Sequence, residues 1–349
     1  MNGLLLVNVG TPDEPTPAAV RRYLREFLGD GRILDIHPIA RSLLLNLIIL
    51  PLRPRRSAAA YQKIWTPQGS PLLVHSRGLV DAVQARLGPG WVVRLGMRYG
   101  HPSLASGLAE ILAQPCQRLF VLPLYPQQAS STTGATVEGV FDALRPRQSH
   151  PPLAILPPFY DDPGFLSVWV EHGRPILEAE RPDHVLFSFH GLPERQIQRA
   201  DRERCHDQPG AQPHCLTQRG CCDAIGRENA ACYRAQCFAT ARLIAERLPL
   251  RSEDYSVCFQ SRLGRIPWIR PYTDQVLTSL RSAGKRRLVV FCPAFVADCL
   301  ETLEEIGQRA REEFLAHGGE SLTLVPAPNS APAWADAIAE RARRGLATA

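Results

Sequence analysis

Lysine, long apolar runs and a glycine-rich nucleotide motif are scarce or absent in this sequence of 349 residues. Lys63 and Lys285 are the only lysines among 40 basic residues, and the arginines are spread along the chain rather than gathered in one stripe. The net charge of +6 is therefore poor support for nucleic-acid binding, and we expect no nucleic-acid partner. A G-x-G-x-x-G motif does not follow the first strand-like segment, which disfavours a dinucleotide-dependent oxidoreductase.

The longest apolar run is also short. Leu43–Leu50 falls well below the ~20 residues that a membrane-spanning helix needs. The opening MNGLLLVNVG has no basic n-region and runs straight into strand-like sequence, so we expect no secretion signal. We therefore expect a cytoplasmic protein, with peripheral contact to the inner membrane as an alternative. In the cytoplasm, ten cysteines are not expected to form a disulfide framework.

Short buried strands alternate with helix-like stretches over the whole length. The strand-like segments are Leu4–Val9, Val92–Met97, Leu119–Leu122, Leu153–Leu156, Leu186–Phe189, Cys258–Gln260, Leu288–Cys292 and Leu322–Pro326. Strands separated by helices are typical of parallel sheets with crossover helices. The pattern predicts an α/β fold made of two similar domains with a cleft between them.

A proline-rich stretch near the middle, Arg145–Pro158, is the best candidate for a linker. We therefore predict an N-terminal half over residues 1–150 and a C-terminal half over residues 151–325. The last segment, residues 326–349, is expected to form a helix that packs back on the body.

One segment of the N-terminal half, Leu34–Leu52, is unusually apolar and is followed by Arg53, Arg55 and Arg56. One interpretation is a helix that faces the core. The other is an apolar lip over a flat hydrophobic ligand, which also touches a membrane surface and uses the arginines for lipid headgroups or ligand carboxylates. The sequence leaves both open.

The most informative stretch is LFSFHGLPERQ, residues 186–196. An apolar strand stops at a Gly–Pro turn, so His190 stands at the carboxyl end of a predicted parallel strand. Ligands of parallel α/β sheets bind in the crevice at those ends. An isolated histidine there is more often a structural residue, so other residues must support a functional role.

A second polar segment follows another strand. Asp298 is a candidate N-cap with Glu301 three residues on, as in a capping box. Asp298, Glu301 and Glu305, continued by Glu312, would then share one face of a regular α-helix. Such a ladder of carboxylates suits the passage of protons or of a divalent cation, although a solvated acidic helix has the same pattern. A third strand end, residues 260–268, supplies two arginines, Arg262 and Arg265, and Trp268.

Taken together, these segments resemble ferrochelatase, the family that inserts ferrous iron into a porphyrin to form haem. The resemblance covers nearly the full length. It rests on LVNVGTP, GSPL, MRYGHP, LPLYPQ, FSFHGLPERQ, FQSRLGRIPWIRPYTD and CPAFVADCLETLEEI. It implies two Rossmann-like, chelatase-type halves around a porphyrin cleft, and an activity as a lyase of haem biosynthesis with Fe²⁺ and a porphyrin as substrates.

The resemblance also implies roles for individual residues. His190 matches the metal-site histidine of the family and Glu301 the glutamate that faces it across the macrocycle. Asp298 and Glu305 are implied to extend a path for protons or metal. The positions implied to contact the porphyrin are Tyr61, Ser70, Arg98, Tyr99, Trp268 and Phe295. Cys299 stands where many relatives have a histidine, and no metal role is assigned to it.

The chemistry asks for such residues. A free-base porphyrin must lose two N–H protons and bend before iron enters, and binding energy from the rest of the ring sustains the distortion. Histidine accepts protons near neutral pH and also ligates iron. Whether the histidine or the carboxylates take the protons stays open.

The competing functions are a chelatase for another metal or tetrapyrrole, and a non-enzymatic haem-binding or redox-sensing protein. The sequence leaves open a monomer or a dimer.

Six cysteines fall in a polar segment, residues 200–237, which looks inserted relative to shorter relatives. They are Cys205, Cys215, Cys221, Cys222, Cys232 and Cys237. Four thiolates suit zinc, and they are also the usual ligands of a [2Fe–2S] cluster, which some bacterial members of the resembled family carry. We expect a [2Fe–2S] cluster on four of the six, with zinc as the alternative. The adjacent pair at 221 and 222 is expected to supply one ligand, because neighbouring side chains diverge.

Overall fold

Two parallel four-stranded sheets form the body of the computed structural model, which describes residues 1–264 and 266–348. Arg265, one of the two arginines noted above, lies outside the described residues. The strands are β1 (Asn2–Thr11), β2 (Trp91–Gly100), β3 (Arg118–Pro123), β4 (Leu153–Ile155), β5 (His184–His190), β6 (Tyr255–Gln260), β7 (Arg287–Phe291) and β8 (Ser321–Leu324).

The two sheets have the same topology. Their strand orders are β2-β1-β3-β4 and β6-β5-β7-β8, and all six strand pairs are parallel. The first strand of each set, β1 or β5, therefore lies inside its sheet and is buried on both faces, which explains its continuous apolar run. The predicted α/β fold of two similar halves is confirmed.

Helices connect the strands and cover both sheets. The α-helices are α1 (Pro17–Gly29), α2 (Pro38–Leu43), α3 (Leu50–Ile64), α4 (Pro71–Leu87), α5 (Leu104–Leu112), α6 (Ala135–Leu144), α7 (Pro163–Glu180), α8 (Glu194–Asp207), α9 (Tyr233–Arg247), α10 (Thr273–Ser282), α11 (Arg311–Ala316) and α12 (Pro332–Thr348). Three wider segments are π-helices: π1 (Leu44–Ile49), π2 (Ser130–Gly134) and π3 (Leu300–Ala310). Such helices often occur at functional sites.

The first sheet continues past residue 150, where the N-terminal half was predicted to end. Leu153–Ile155 forms β4, which pairs with β3 of that sheet. The proline-rich stretch therefore contains an edge strand as well as a connection. The C-terminal helix α12 packs against α4 and α7, so it touches elements on both sides of that stretch.

The apolar segment at 34–52 folds as α2, π1 and the start of α3. Its buried residues, Leu45, Ile49 and Leu50, face α1 and α3. A second set of large side chains points outward and is more than half exposed: Ile39, Leu43, Leu47, Ile48 and Leu52. The segment is thus a folded element with an apolar outer face, which we call the lip. No helix in the described part of the chain is long and apolar enough to cross a membrane.

Candidate active site

His190 is the last residue of β5, and the turn after it fixes the direction of its imidazole. The ring Nδ1 lies 2.6 Å from the carbonyl oxygen of Gly191. A carbonyl only accepts hydrogen bonds, so Nδ1 carries the proton and Nε2 keeps its lone pair. Residue 191 has to be glycine, because a Cβ there would stand 2.9 Å from the carbonyl oxygen of Gln260 and 3.3 Å from the indole of Trp268.

Two aromatic side chains flank this imidazole. The ring centroids of Trp268 and Phe295 lie 6.5 and 6.4 Å from that of His190. Trp268 is held by its own indole N–H, which donates to the carbonyl of Leu263 at 2.9 Å. The structure therefore brings together three predicted site residues that come from three different segments of the sequence.

Glu301 stands in the first turn of π3, on the segment that follows β7. Asp298 does not cap this helix, so that prediction is wrong: Cys299 is the N-cap, and Thr302 completes the capping box. The predicted single acidic face is also wrong in its geometry. Asp298 precedes the helix, residues 300–310 follow a π rather than an α repeat, and Glu312 belongs to α11.

The carboxylates of this segment have different surroundings. Asp298 is buried, and its oxygens accept hydrogen bonds from Thr302 at 3.0 Å and from Asn329 at 2.8 Å. Glu305 accepts from the backbone N–H of Ser261 at 3.0 Å and from the hydroxyl of the same residue. The side chain of Glu301 contacts the thiol of Cys299, and its backbone carbonyl accepts from Gln260 at 2.8 Å. Asp298 is thus an internal anchor, whereas Glu301 is partly exposed.

The opposing wall comes from the first sheet. Thr11, at the end of β1, donates to the hydroxyl of Ser70 at 2.8 Å and is hydrogen-bonded to Tyr61. Burial, followed by the charge of Glu301, raises the pKa of Tyr61 well above its usual range. Leu300 and Leu303 of π3 pack against the apolar cluster that contains Tyr61, so the start of π3 lies against this wall.

Arg98 and Tyr99 lie deeper in the first sheet, where Asp30 engages both. The guanidinium of Arg98 and the hydroxyl of Tyr99 lie 2.7 and 2.8 Å from the same carboxylate oxygen. The Arg98 Nε also donates to the carbonyl of Ala135 at 2.7 Å. Their polar groups are therefore occupied within the fold.

Two ion pairs join the lip and α3 to the second half. Arg195, five residues after His190, makes a two-pronged hydrogen-bonded pair with Asp35 at the start of the lip. Lys63 reaches the buried carboxylate of Glu304 in π3 at 3.6 Å. Sequence reasoning missed both pairs. One available signal was that Arg195 belongs to the same HGLPERQ segment as His190, but its acidic partner is 160 residues away.

Comparison with known proteins decides the family. The ferrochelatase family model matches residues 1–346. A ferrochelatase of Coxiella burnetii (strain CbuG_Q212) is 45% identical over 344 residues, covering 99% of this chain and 94% of the relative. One of Legionella pneumophila (strain Corby) is 44% identical over 336 residues, covering 96% of this chain and 97% of the relative. The chain belongs to the ferrochelatase family. It is accordingly a haem-forming lyase, as the sequence predicted.

Solved structures agree on the ferrochelatase-like fold. SirB from Bacillus subtilis with Fe³⁺ has a TM-score of 0.55 at 13% identity, covering 100% of this chain and 97% of SirB. The sirohydrochlorin chelatase SirB from Bacillus subtilis subspecies spizizenii in complex with cobalt also has a TM-score of 0.55, at 11% identity, covering 100% of this chain and 97% of that chain. At this identity the likeness concerns the fold alone, and it confirms the chelatase-type architecture.

The cysteine segment runs from the second half of α8, which contains Cys205, to the start of α9, which contains Cys237. Asp201 in α8 anchors it, since one carboxylate oxygen accepts from the backbone N–H groups of His214 at 2.7 Å and Cys215 at 3.0 Å. Arg204 pairs with the other oxygen of the same carboxylate at 2.8 Å. The segment has almost no regular structure of its own, so these contacts help to hold it.

Several of the six thiols meet inside the segment. The side chain of Cys232 lies near those of Cys215 and Cys222, and the Sγ atoms of Cys221 and Cys222 are 3.8 Å apart. The prediction that the adjacent side chains diverge is therefore wrong. Cys205 stands near Cys215 at the guanidinium of Arg204.

The six cysteines could supply thiolate ligands to a metal, but their surroundings in this structure favour the protonated thiol. The hydrogen bond to Cys215 and burial raise the pKa of Cys232 to about 12. The hydrogen bond to Cys232 and burial raise the pKa of Cys222 as well. Among the described residues, no three His, Cys, Asp or Glu side chains are arranged to hold a metal ion. Ligation therefore requires side-chain rotation and loss of thiol protons.

Proposed function

We propose that His190 and Glu301 carry out the insertion of ferrous iron from opposite sides of the porphyrin plane. The observation that supports this most directly is the free Nε2 of His190, since Nδ1 is committed to Gly191. A free imidazole nitrogen accepts a pyrrole proton at neutral pH or ligates iron for a moment.

Within this proposal the partly exposed imidazole of His190 takes one pyrrole proton, passes it to solvent water and then takes the second, while Glu301 attracts the cation. Glu305 extends the acidic surface behind Glu301, and the backbone N–H and hydroxyl of Ser261 fix the position of its carboxylate. Asp298 contributes indirectly. Its carboxylate is buried and hydrogen-bonded, so it fixes the start of π3 rather than lying on the path of the ion.

We propose that the porphyrin lies between the wall of Tyr61 and Ser70 and the wall of Trp268 and Phe295. Apolar and aromatic contacts on both faces supply the binding energy that bends the ring and turns its nitrogen lone pairs toward the metal. Arg98 and Tyr99 support this binding site indirectly, because the guanidinium and the hydroxyl are already hydrogen-bonded to the carboxylate of Asp30.

The exposed face of the lip suits the edge of the macrocycle, and five large apolar side chains on it are more than half exposed. We propose that it closes over the bound porphyrin. Peripheral contact with a membrane surface is the second use of the same face, helped by the arginines that follow it. A cytoplasmic location fits both uses.

We also propose that four of the six thiols at Cys205, Cys215, Cys221, Cys222, Cys232 and Cys237 bind a [2Fe–2S] cluster, with zinc as the alternative metal. The thiols that meet around Cys232 support this, since four thiolates are the common ligand set of both. The bound group supplies a cross-link to a segment with little regular structure. No step of iron insertion depends on it.

The test of the site assignment is His190→Ala. We expect anaerobic insertion of Fe²⁺ or Zn²⁺ into protoporphyrin to fall by about 10²-fold or more, the usual contribution of a positioned base. Porphyrin binding, followed by fluorescence quenching, should persist because the aromatic wall remains. Replacement of His172 by alanine is the matched control, since that histidine is exposed on α7 and its Nδ1 binds the carbonyl of Pro326. Normal turnover in the His190 variant would refute the assignment.

A further inference from the structure

Tyr233 touches the backbone of His190 from the cysteine segment. It is the first residue of α9, directly after Cys232, and its side chain is buried. Its hydroxyl donates to the carbonyl oxygen of His190 at 2.7 Å. The resemblance that singled out His190 assigned nothing to this tyrosine.

This hydrogen bond completes the support of one peptide group. The peptide that joins His190 to Gly191 has its carbonyl held by Tyr233 and its N–H held by the carbonyl of Gln260 at 2.8 Å. With both polar ends fixed, the plane of the peptide has one orientation. The imidazole extends from one side of that peptide and is fixed by the Gly191 carbonyl that follows it.

The same side chain lies beside another thiol of the cysteine segment. Cys237, one turn further along α9, is buried next to Tyr233. The start of α9 thus links the cysteine segment to the end of β5 through Tyr233.

We propose that Tyr233 is a positioning residue for metal insertion, which sets the direction of the His190 imidazole by holding its peptide carbonyl. The inference rests on the proposed role of His190. It gives the cysteine segment a function in the site, because Tyr233 reaches the carbonyl only when the start of α9 is packed against β5. The tyrosine itself does not touch the porphyrin or the metal.

Tyr233→Phe removes the hydroxyl and keeps the ring. We expect kcat for metal insertion to fall by about ten- to a hundredfold, the usual effect of losing a partner that orients a ligand or base. KM for porphyrin and its affinity by fluorescence quenching should stay at the wild-type value, because the binding walls are intact. Incorporation of p-aminophenylalanine at position 233 restores an N–H donor and should recover most of kcat.

Tyr255→Phe is the matched control. Tyr255 begins β6 at the opposite end of the sheet, and its ring packs on Phe187 with a centroid distance of 5.5 Å. Loss of this hydroxyl should leave kcat unchanged. If Tyr233→Phe does not fold, 4-fluorophenylalanine at position 233 serves instead, since it nearly keeps the volume of tyrosine and removes the donor. A kcat below that of the wild type then supports the proposal.

Two outcomes would overturn the inference. One is wild-type kcat in a folded Tyr233→Phe or 4-fluorophenylalanine protein. The other is a loss of kcat that p-aminophenylalanine does not recover, which would make the effect one of packing. His190→Ala is measured beside them. If that variant is fully active, the site assignment itself fails, whereas an inactive His190 variant with an active Tyr233 variant refutes only the role of Tyr233.

Discussion

Leu47→Asp tests whether the lip grips the porphyrin. Leu47 is 69% exposed in the structure, so the free protein loses little packing when it is replaced, and we expect a change in unfolding free energy within about 0.5 kcal/mol. Full burial of a leucine side chain contributes about 1.5–3 kcal/mol. The exposed two thirds of the Leu47 side chain can still be buried against the macrocycle, which would contribute about 1–2 kcal/mol to the binding free energy. Loss of this contribution weakens porphyrin affinity about 5- to 30-fold.

The assay is fluorescence quenching of protoporphyrin, with thermal unfolding followed in parallel. Leu45→Ala is the matched control, because Leu45 lies in the same π-helix but is only 5% exposed. We expect that variant to lose about 2–5 kcal/mol of stability. If Leu47→Asp unfolds the protein, the segment is ordinary core. If it folds and binds porphyrin with wild-type affinity, the lip does not contact the ring. The other proposed role of the lip, contact with a membrane surface, is then tested by measuring the binding of the wild-type and Leu47→Asp proteins to anionic vesicles.

Three further predictions concern charge and metal. Glu301→Gln should lower turnover by about 10²-fold or more and Glu305→Gln by much less, since Ser261 already holds the second carboxylate; equal, mild losses in steady-state assays would contradict the proposed roles. Asp35→Asn, which removes the charge paired with Arg195, should speed porphyrin association in stopped-flow measurements if that pair restrains the lip, and an unchanged association rate would exclude this restraint. Protein purified without oxygen should carry about two irons and two sulfides in the cysteine segment, whereas one zinc per chain, or no metal in fully active protein, would contradict the cluster.

The strands and the class of fold could be predicted from the sequence because each strand is a short apolar run bounded by turn residues. LLLVNV and LFSF are continuous rather than alternating, which indicates burial on both faces and hence parallel sheets. The activity could be predicted because several segments match those of the ferrochelatase family. In each case the signal is local, since it is contained within about ten neighbouring residues.

The start of π3 is a place where the local sequence pattern does not predict the structure. Spacing favoured Asp298 as the cap of an α-helix, because Asp is a good N-cap and Glu301 follows at the right distance. In the structure, the side-chain amide of Asn329, which follows β8, donates a hydrogen bond to the Asp298 carboxylate, and Cys299 is the N-cap of a π-helix. A competing partner thirty residues away overrides the local preference.

The sequence by itself determined the two parallel sheets, the strand end that carries His190 and the ferrochelatase activity, since each depends on apolar runs or contiguous motifs. Only the tertiary structure decided what holds those groups. Nδ1 of His190 meets the Gly191 carbonyl, the hydroxyl of Tyr233 reaches the same turn from α9, and Arg195 pairs with Asp35 across 160 positions. The last two are contacts between elements, which exist only once the apolar faces of those elements have packed, and no spacing within the chain encodes them.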